Sequence, residues 1–191
     1  MSRVVYYSDD EIRIRNMEDT DTQEFSREEE LQGWGVTAQK FEMRLRHQGE
    51  GKCIALTAEY RGKAAGYVSV YPNSEWGAFG NQGLPEIVDF AVLEKFRGHG
   101  IGTKLMDTAE EVAASYADRV YLGVGLHSGY GSAQRMYAKR GYIPDGSGVW
   151  YGDHVCTSYS DCRNDDNLNL YLIKSLKKTA VREGGMEKQN G

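Results

Sequence analysis

No stretch of this 191-residue chain approaches the ~18–20 consecutive apolar residues of a membrane-crossing helix. The first residues include Arg3, Asp9, Asp10 and Glu11 and lack the apolar segment of a secretory leader. The sequence therefore predicts a cytoplasmic protein with no membrane partner. Basic charge is in deficit: 23 Lys and Arg against 28 Asp and Glu give a net charge of −5. That balance leaves no footprint for a polyanion, so nucleic acid is not expected as a partner. Cysteine is rare and odd in number, at Cys53, Cys156 and Cys162, which argues against a disulfide framework. His154, Cys156, Asp161 and Cys162 lie close together, but their spacing matches no zinc pattern, and no metal is expected. No internal repeat is visible.

What is present suits one compact domain. Ile12 and Ile14 alternate with Arg13 and Arg15 as a half-buried strand does. A capping cluster at Asp19, Thr20, Asp21 and Thr22 precedes a weakly helical, acidic stretch from Glu24 to Gln32. Thr37 is placed to cap a second helix, Ala38 to Gln48, with Phe41 and Leu45 on one face. Cys53 to Tyr60 and Ala64 to Tyr71 flank Arg61-Gly62-Lys63 and predict a hairpin. Asn73 to Gly83 reads as loop and Glu86 to Val92 as a strand. The next helix starts near Gly100, and its apolar stripe is Ile101, Leu105, Ala109, Val112 and Tyr116. A strand over Arg119 to Val124, a short helix over Ser132 to Arg140 and a last strand over Leu168 to Lys174 complete the pattern. Residues 145–167 are expected as an irregular insertion and 177–191 as a frayed tail, leaving a domain of 1–176. Helices and strands mix without strict alternation, which predicts an α/β domain on a mixed sheet.

The chemistry concentrates where strand Glu86–Val92 runs into Gly98, Gly100 and Gly102 at a helix start. Such a start offers unpaired N–H groups and a positive dipole end, and glycine lets a ligand approach the backbone. Arg97 adds a cation for a phosphate. The spacing fits neither the dinucleotide fingerprint nor a G-x-x-x-x-G-K-[ST] loop.

Arg97-Gly98-His99-Gly100-Ile101-Gly102 resembles the R/Q-x-x-G-x-G/A signature of the GNAT acetyltransferase family, in the family's setting between a strand and a helix. Ala133 to Tyr142 resembles the family's second motif, A-x-x-x-Y-x-K-x-G-F/Y. The resemblance runs from about Ile12 to Lys174. It implies the GNAT fold, a mixed central sheet splayed after the fourth strand and flanked by helices. It also implies acetyl-CoA as cosubstrate. Phe90, Ala91 and Val92 would pair with the pantetheine arm, and the N–H groups of Gly98, His99, Gly100, Ile101, Gly102 and Thr103 would hold the pyrophosphate beside Arg97. Tyr137 matches the family's tyrosine, a general acid or a donor to the departing sulfur.

Acetyl transfer also needs a group to take a proton from an ammonium whose pKa is near ~10. Glu86 and Asp89 lie on the strand where relatives often carry a carboxylate, and in a regular strand only one of them faces the cleft. Glu86, nearer the acceptor end, is the preferred base, with His127 as a lesser alternative. The family's asparagine seven residues before the tyrosine is here Tyr130. The acceptor site is expected from residues 24–48 and 73–83, with Trp34, Trp76, Trp150 and Tyr151 as candidate lining and Glu24, Glu28, Glu29 and Glu30 as attractors of a cation. The first expectation is acetylation of a small-molecule primary amine, of antibiotic or polyamine type. The alternatives are a protein lysine or N-terminal acetyltransferase and a non-catalytic CoA-binding module. The resemblance is compatible with a homodimer.

Overall fold

A computed structural model describes residues 3–35 and 38–176. The expectations for Thr37 and for 177–191 fall outside them. Nine strands form one sheet in the order β1-β2-β3-β4-β5-β6-β9-β7-β8. The strands are β1 (Val5–Ser8), β2 (Ile12–Asn16), β3 (Ile54–Tyr60), β4 (Lys63–Tyr71), β5 (Glu86–Val92), β6 (Arg119–Gly125), β7 (Ile143–Tyr151), β8 (His154–Val155) and β9 (Leu168–Ser175). Every neighbouring pair is antiparallel except β5 and β6, which are parallel. Four α-helices cover the faces among the described residues: α1 (Asp19–Leu31), α2 (Ala38–Gly49), α3 (Ile101–Ala114) and α4 (Gly131–Lys139).

Two apolar layers hold helices to opposite faces. Ile101, Leu105, Met106, Ala109 and Ala113 of α3 pack on Val68, Val70, Ile87, Val120 and Leu122. On the other face, Phe25 of α1 and Phe41 of α2 meet Tyr67, with each pair of ring centres 5.0–5.5 Å apart. Each large aliphatic side chain or phenylalanine so buried contributes roughly 1.5–3 kcal/mol. The predicted stripe of α3 holds as far as Ala109. Val112 is only partly buried, and Tyr116 is 54% exposed because the helix ends at Ala114.

The hairpin of β3 and β4 turns through Arg61 and Gly62, both at positive φ, the geometry that two-residue hairpins favour. Three elements differ from the sequence reading. Val5–Ser8 forms an edge strand that pairs with β2. Helix α1 begins at Asp19, where the Asp21 carboxylate takes the Glu18 N–H at 2.8 Å. The stretch 145–167 is irregular only in part: β7 crosses it to Tyr151, pairing with β9 on both sides of a register shift between Pro144 and Val149. Glycines at 146 and 148, both at positive φ, account for that break and hid the strand's alternation.

Candidate functional site

Strands β5 and β6 share a single register pair, Glu86 with Tyr121, and then part. A cleft of ≈ 1120 Å³ opens in the split. Its walls are β5 from Ile87 onward, the turn into α3, the end of β6 and the start of α4, and Glu29 and Lys40 close one side.

On one wall β5 is bulged. Tyr67 pairs with Ala91 and Ser69 with Val88, so Val68 alone faces both Asp89 and Phe90. Asp89 is the extra residue, at φ 54, a left-handed conformation that a non-glycine residue adopts only when held there. Arg44 of α2 holds it: Nε donates to Asp89 Oδ2 at 2.5 Å, and the same guanidinium donates to the Tyr71 hydroxyl. His47 completes the group, with Nδ1 at 2.7 Å from that hydroxyl.

The turn into α3 is built from main chain. Gly98 and Gly100 stand at φ 85 and 76, and Lys104 carries the first bonded amide of the helix, to Gly100 O at 3.1 Å. The amides from Gly98 to Thr103 have no backbone acceptor among the described residues, and all of these residues but His99 line the cleft. Gly102 keeps the packing loose there, because a Cβ would stand 3.2 Å from the Phe90 ring and press on it. Arg97 lies against Trp34, 5.6 Å from the ring centre, and its Nε donates to Val92 O at 3.3 Å.

Tyr137 reaches the cleft from α4. It is 6% exposed, with its ring edge-on to Phe90 and Tyr142. Burial, with a smaller contribution from Tyr130, pushes its hydroxyl pKa above the usual tyrosine value. Its hydroxyl is thus a donor that keeps its proton.

Most of the predicted site residues meet here: Asp89, Phe90, Ala91, Val92, Arg97, Gly98, Gly100, Ile101, Gly102, Thr103 and Tyr137 line one cleft. Two side chains do not. His99 stacks on Tyr60, with ring centres 4.7 Å apart, and faces a second hollow beside Asp9, Asp10 and Glu11. Glu86, expected to face the cleft, lies behind its apex, 6% exposed, with the Tyr121 hydroxyl 3.4 Å away. The bulge gives the cleft to Asp89 instead. Burial pushes the Glu86 carboxyl up to about 7, against hydrogen bonds from Ser74 and Tyr121 that pull it down.

The acceptor-side expectations need correction. Residues 73–83 do not line the cleft; they fold over an aromatic cluster of Phe79, Tyr121, Trp150 and Tyr171, tied by the Tyr121 hydroxyl to Trp76 O at 2.7 Å. Of the four candidate aromatics, only Trp34 lines the cleft. The acidic face of α1 is partly neutralised: Glu28 pairs with Lys95 at 2.6 Å, and Glu29 with Lys40 at 3.1 Å and with the Tyr67 hydroxyl.

Sequence reasoning missed Asp166. Its Oδ1 accepts from His127 Nε2 and from the Tyr130 hydroxyl, each at 2.9 Å. His127 and then Tyr130 hold its carboxyl below the ordinary range. Gly129 N–H donates to His127 Nδ1 at 3.1 Å, so the ring's hydrogen sits on Nε2 and no lone pair is left for a substrate. The Asp/Asn run 164–167 signalled a turn before the last strand, but nothing in it pointed to His127.

Comparison with known proteins adds a family. The acetyltransferase (GNAT) family profile matches residues 12–142. A curated N-alpha-acetyltransferase of Sulfurisphaera tokodaii is 31% identical over 106 residues, 51% of this chain and 61% of that protein. The match thus spans less than two thirds of that relative's length. Among solved structures, yncA of Salmonella typhimurium, described as a putative acetyltransferase with its cofactor acetyl-CoA, aligns with a TM-score of 0.61 at 17% identity, over 92% of this chain and 100% of its own. Naa50 of Arabidopsis thaliana, in complex with the bisubstrate analogue CoA-Ac-MVNAL, aligns with a TM-score of 0.60 at 15% identity, over 87% and 99%.

Proposed function

Because the chain belongs to the GNAT family of acetyltransferases, we propose that it moves an acetyl group from acetyl-CoA directly to a primary amine while both are bound. The observation that carries this reading is the split between β5 and β6, with a glycine turn of unpaired amides at its mouth. Those amides and Arg97 suit the pyrophosphate, and the missing Cβ at Gly102 leaves room beside Phe90. Beyond Glu86 the edge of β5 that faces β6 has no strand partner among the described residues, which leaves main chain around Phe90, Ala91 and Val92 for an extended arm. We take residues 1–176 as the domain that does this.

In this reading Tyr137 donates a hydrogen bond to the departing sulfur. A thiol near ~8.5 is a stronger acid than a buried tyrosine, so the hydroxyl shares its proton rather than giving it up. Glu86 receives the ammonium proton through water at the apex of the split. A carboxyl titrating at about 7 is matched to that task at neutral pH. Asp89, fixed by Arg44, orients the amine.

The acceptor divides into two readings. A protein N-terminal amine is supported by the name of the curated relative and by a cleft that three of the four candidate aromatics do not line. A small polyamine, the expectation from sequence, is supported by four carboxylates on the cleft wall: Glu29, Asp89, Glu94 and Asp166. The test is release of CoA thiol from acetyl-CoA with three probes: a peptide with a free α-amine, the same peptide acetylated at its terminus, and spermidine. Turnover with the free peptide alone selects the first reading and turnover with spermidine alone selects the second. If acetyl-CoA does not bind in a calorimetric titration, the assignment fails.

A further inference from the structure

One wall of the cleft already holds a primary ammonium that the proposed chemistry does not use. Lys40 Nζ donates to both Glu29 carboxylate oxygens, at 3.1 and 3.2 Å, and to the Tyr67 hydroxyl at 2.9 Å. The same nitrogen stands 4.6 Å from the centre of the Phe41 ring and 4.7 Å from that of Tyr67. Those two rings meet edge to face, at 89°. A carboxylate, a hydroxyl and two aromatic rings thus surround one alkylammonium, a group with three hydrogens to give and no lone pair. Glu29, Phe41 and Tyr67 are all buried, so the walls of this cage are fixed by packing. Tyr67 donates to Glu29. Burial, and then the Glu29 charge, push its pKa above the usual tyrosine value, so the hydroxyl keeps its proton.

Lys40 is held less firmly than the walls. Its side chain is partly exposed, and it sits in the first turn of α2, where the helix dipole opposes a cation. Lys40, Glu29 and Tyr67 all line the cleft, so Nζ can leave into it and another ammonium can enter from it. Tyr67 is also the ladder partner of Ala91, whose main chain suits the cofactor arm. The cage therefore adjoins the strand along which the acetyl group would be carried.

Granted acetyl transfer in this cleft, the reading on which this rests, we propose that the cage is an acceptor subsite for a primary alkylammonium, filled by Lys40 in the free protein and taken by the acceptor's second ammonium when it displaces Lys40. The reacting amine must lose its proton, whereas the caged one keeps its charge beside Glu29. One acceptor must then carry two amines. A diamine meets that need, and so does a peptide with a lysine beside its free α-amine.

The test begins with binding alone. Lys40→Ala empties the cage and leaves Glu29 buried without this cation. Its melting temperature should rise by about 3 °C in ethylammonium chloride at about ten times the dissociation constant, relative to tetramethylammonium chloride, which has no N–H to give. The parent, with its own ammonium in place, should show no such difference. Adding Glu29→Gln to Lys40→Ala should abolish the response. Equal effects of the two salts on Lys40→Ala would overturn the cage. Turnover then compares putrescine with butylamine, and a peptide carrying lysine beside its free α-amine with the same peptide carrying norleucine there. In one of these pairs the doubly charged member should have the lower KM, by about 10-fold in the parent and by more in Lys40→Ala, and Glu29→Gln alone should erase the difference. The pair that responds identifies the source of the ammonium. No difference in either pair, with acetyl-CoA bound in a calorimetric titration, would overturn the subsite. Failure to bind acetyl-CoA would instead remove the acetyltransferase reading, and the melting comparison would then decide the cage by itself.

Discussion

The two banks of the cleft are made of different materials. The bank at the start of α3 is main chain: amides from Gly98 to Thr103, two glycines at positive φ and a third where a Cβ would press on the Phe90 ring. The opposite bank is side chain, and its charges come in bonded groups: Glu29 with Lys40 and Tyr67, Asp89 with Arg44 and Tyr71, Asp166 with His127 and Tyr130. Main-chain donors have no pKa to tune and cannot be exchanged for another residue's chemistry. Side-chain groups can be replaced one at a time. The first bank suits a ligand that never varies and the second a ligand that does.

The largest effect should come from breaking the first bank. Gly100→Asp puts a carboxylate before the free amides and forces it into a left-handed conformation, so acetyl-CoA affinity should fall by about 100-fold or more, as read by titration calorimetry. A parental affinity would move the phosphate site elsewhere. Tyr137→Phe keeps the packed ring and removes one donor. We expect kcat to fall by roughly 10- to 100-fold with acetyl-CoA affinity unchanged, because the bond strengthens only as charge grows on sulfur. A parental kcat in stopped-time assays from about pH 6 to 9.5 removes Tyr137 from the reaction.

Glu86→Gln tests the point where the banks meet. The parent carboxyl titrates at about 7 when folded, against 4.5 ordinarily, so the folded state holds a proton that the unfolded state has lost. Stability that is full below pH 4.5 is therefore lost as pH rises through about 7. The loss is at most on the order of 3 kcal/mol. Gln does not titrate, so the melting temperature of Glu86→Gln relative to the parent should be higher at pH 8 than at pH 5. In activity the parent should rise through about pH 7 and the variant should lose that limb, its defect shrinking toward the pKa of the acceptor. A defect constant with pH assigns Glu86 to packing. The smallest effect belongs to the second bank: Asp166→Asn should raise the acceptor KM by about 2- to 10-fold and leave acetyl-CoA affinity alone, as one partly exposed charge contact allows. An equal loss in both would mean that the banks are mechanically coupled.

The same contrast explains what the sequence could tell. Glycines at 98, 100 and 102 record backbone conformation and close approach, and both requirements are visible in residue type. Tyr137 was legible because most of its motif lies on one helix. Glu86 and Asp89 were harder, because alternation along a strand assumes a regular ladder and the bulge breaks it between them. Asp166 was out of reach: its partners lie 39 and 36 residues earlier and meet it only after β9 pairs with β6. The aromatic residues misled because a tryptophan at a cluster edge and one in a cleft look alike in sequence, and Trp76 and Trp150 went to the cluster around Tyr121 and Tyr171.

The extra residue in β5 has a genetic consequence. Most one-residue deletions in a central strand are damaging, since they shift a buried register. Deleting Asp89 would instead heal the ladder opposite Val68, relieve a left-handed main chain and give a more regular sheet. It would do so by removing the Arg44 anchor from the cleft, with Val88 still opposite Ser69 and Ala91 still opposite Tyr67. Such a deletion should fold readily and do nothing. In a collection of random deletions sorted first for folding and then for turnover, position 89 should stand out as the codon whose loss the first sort keeps and the second discards.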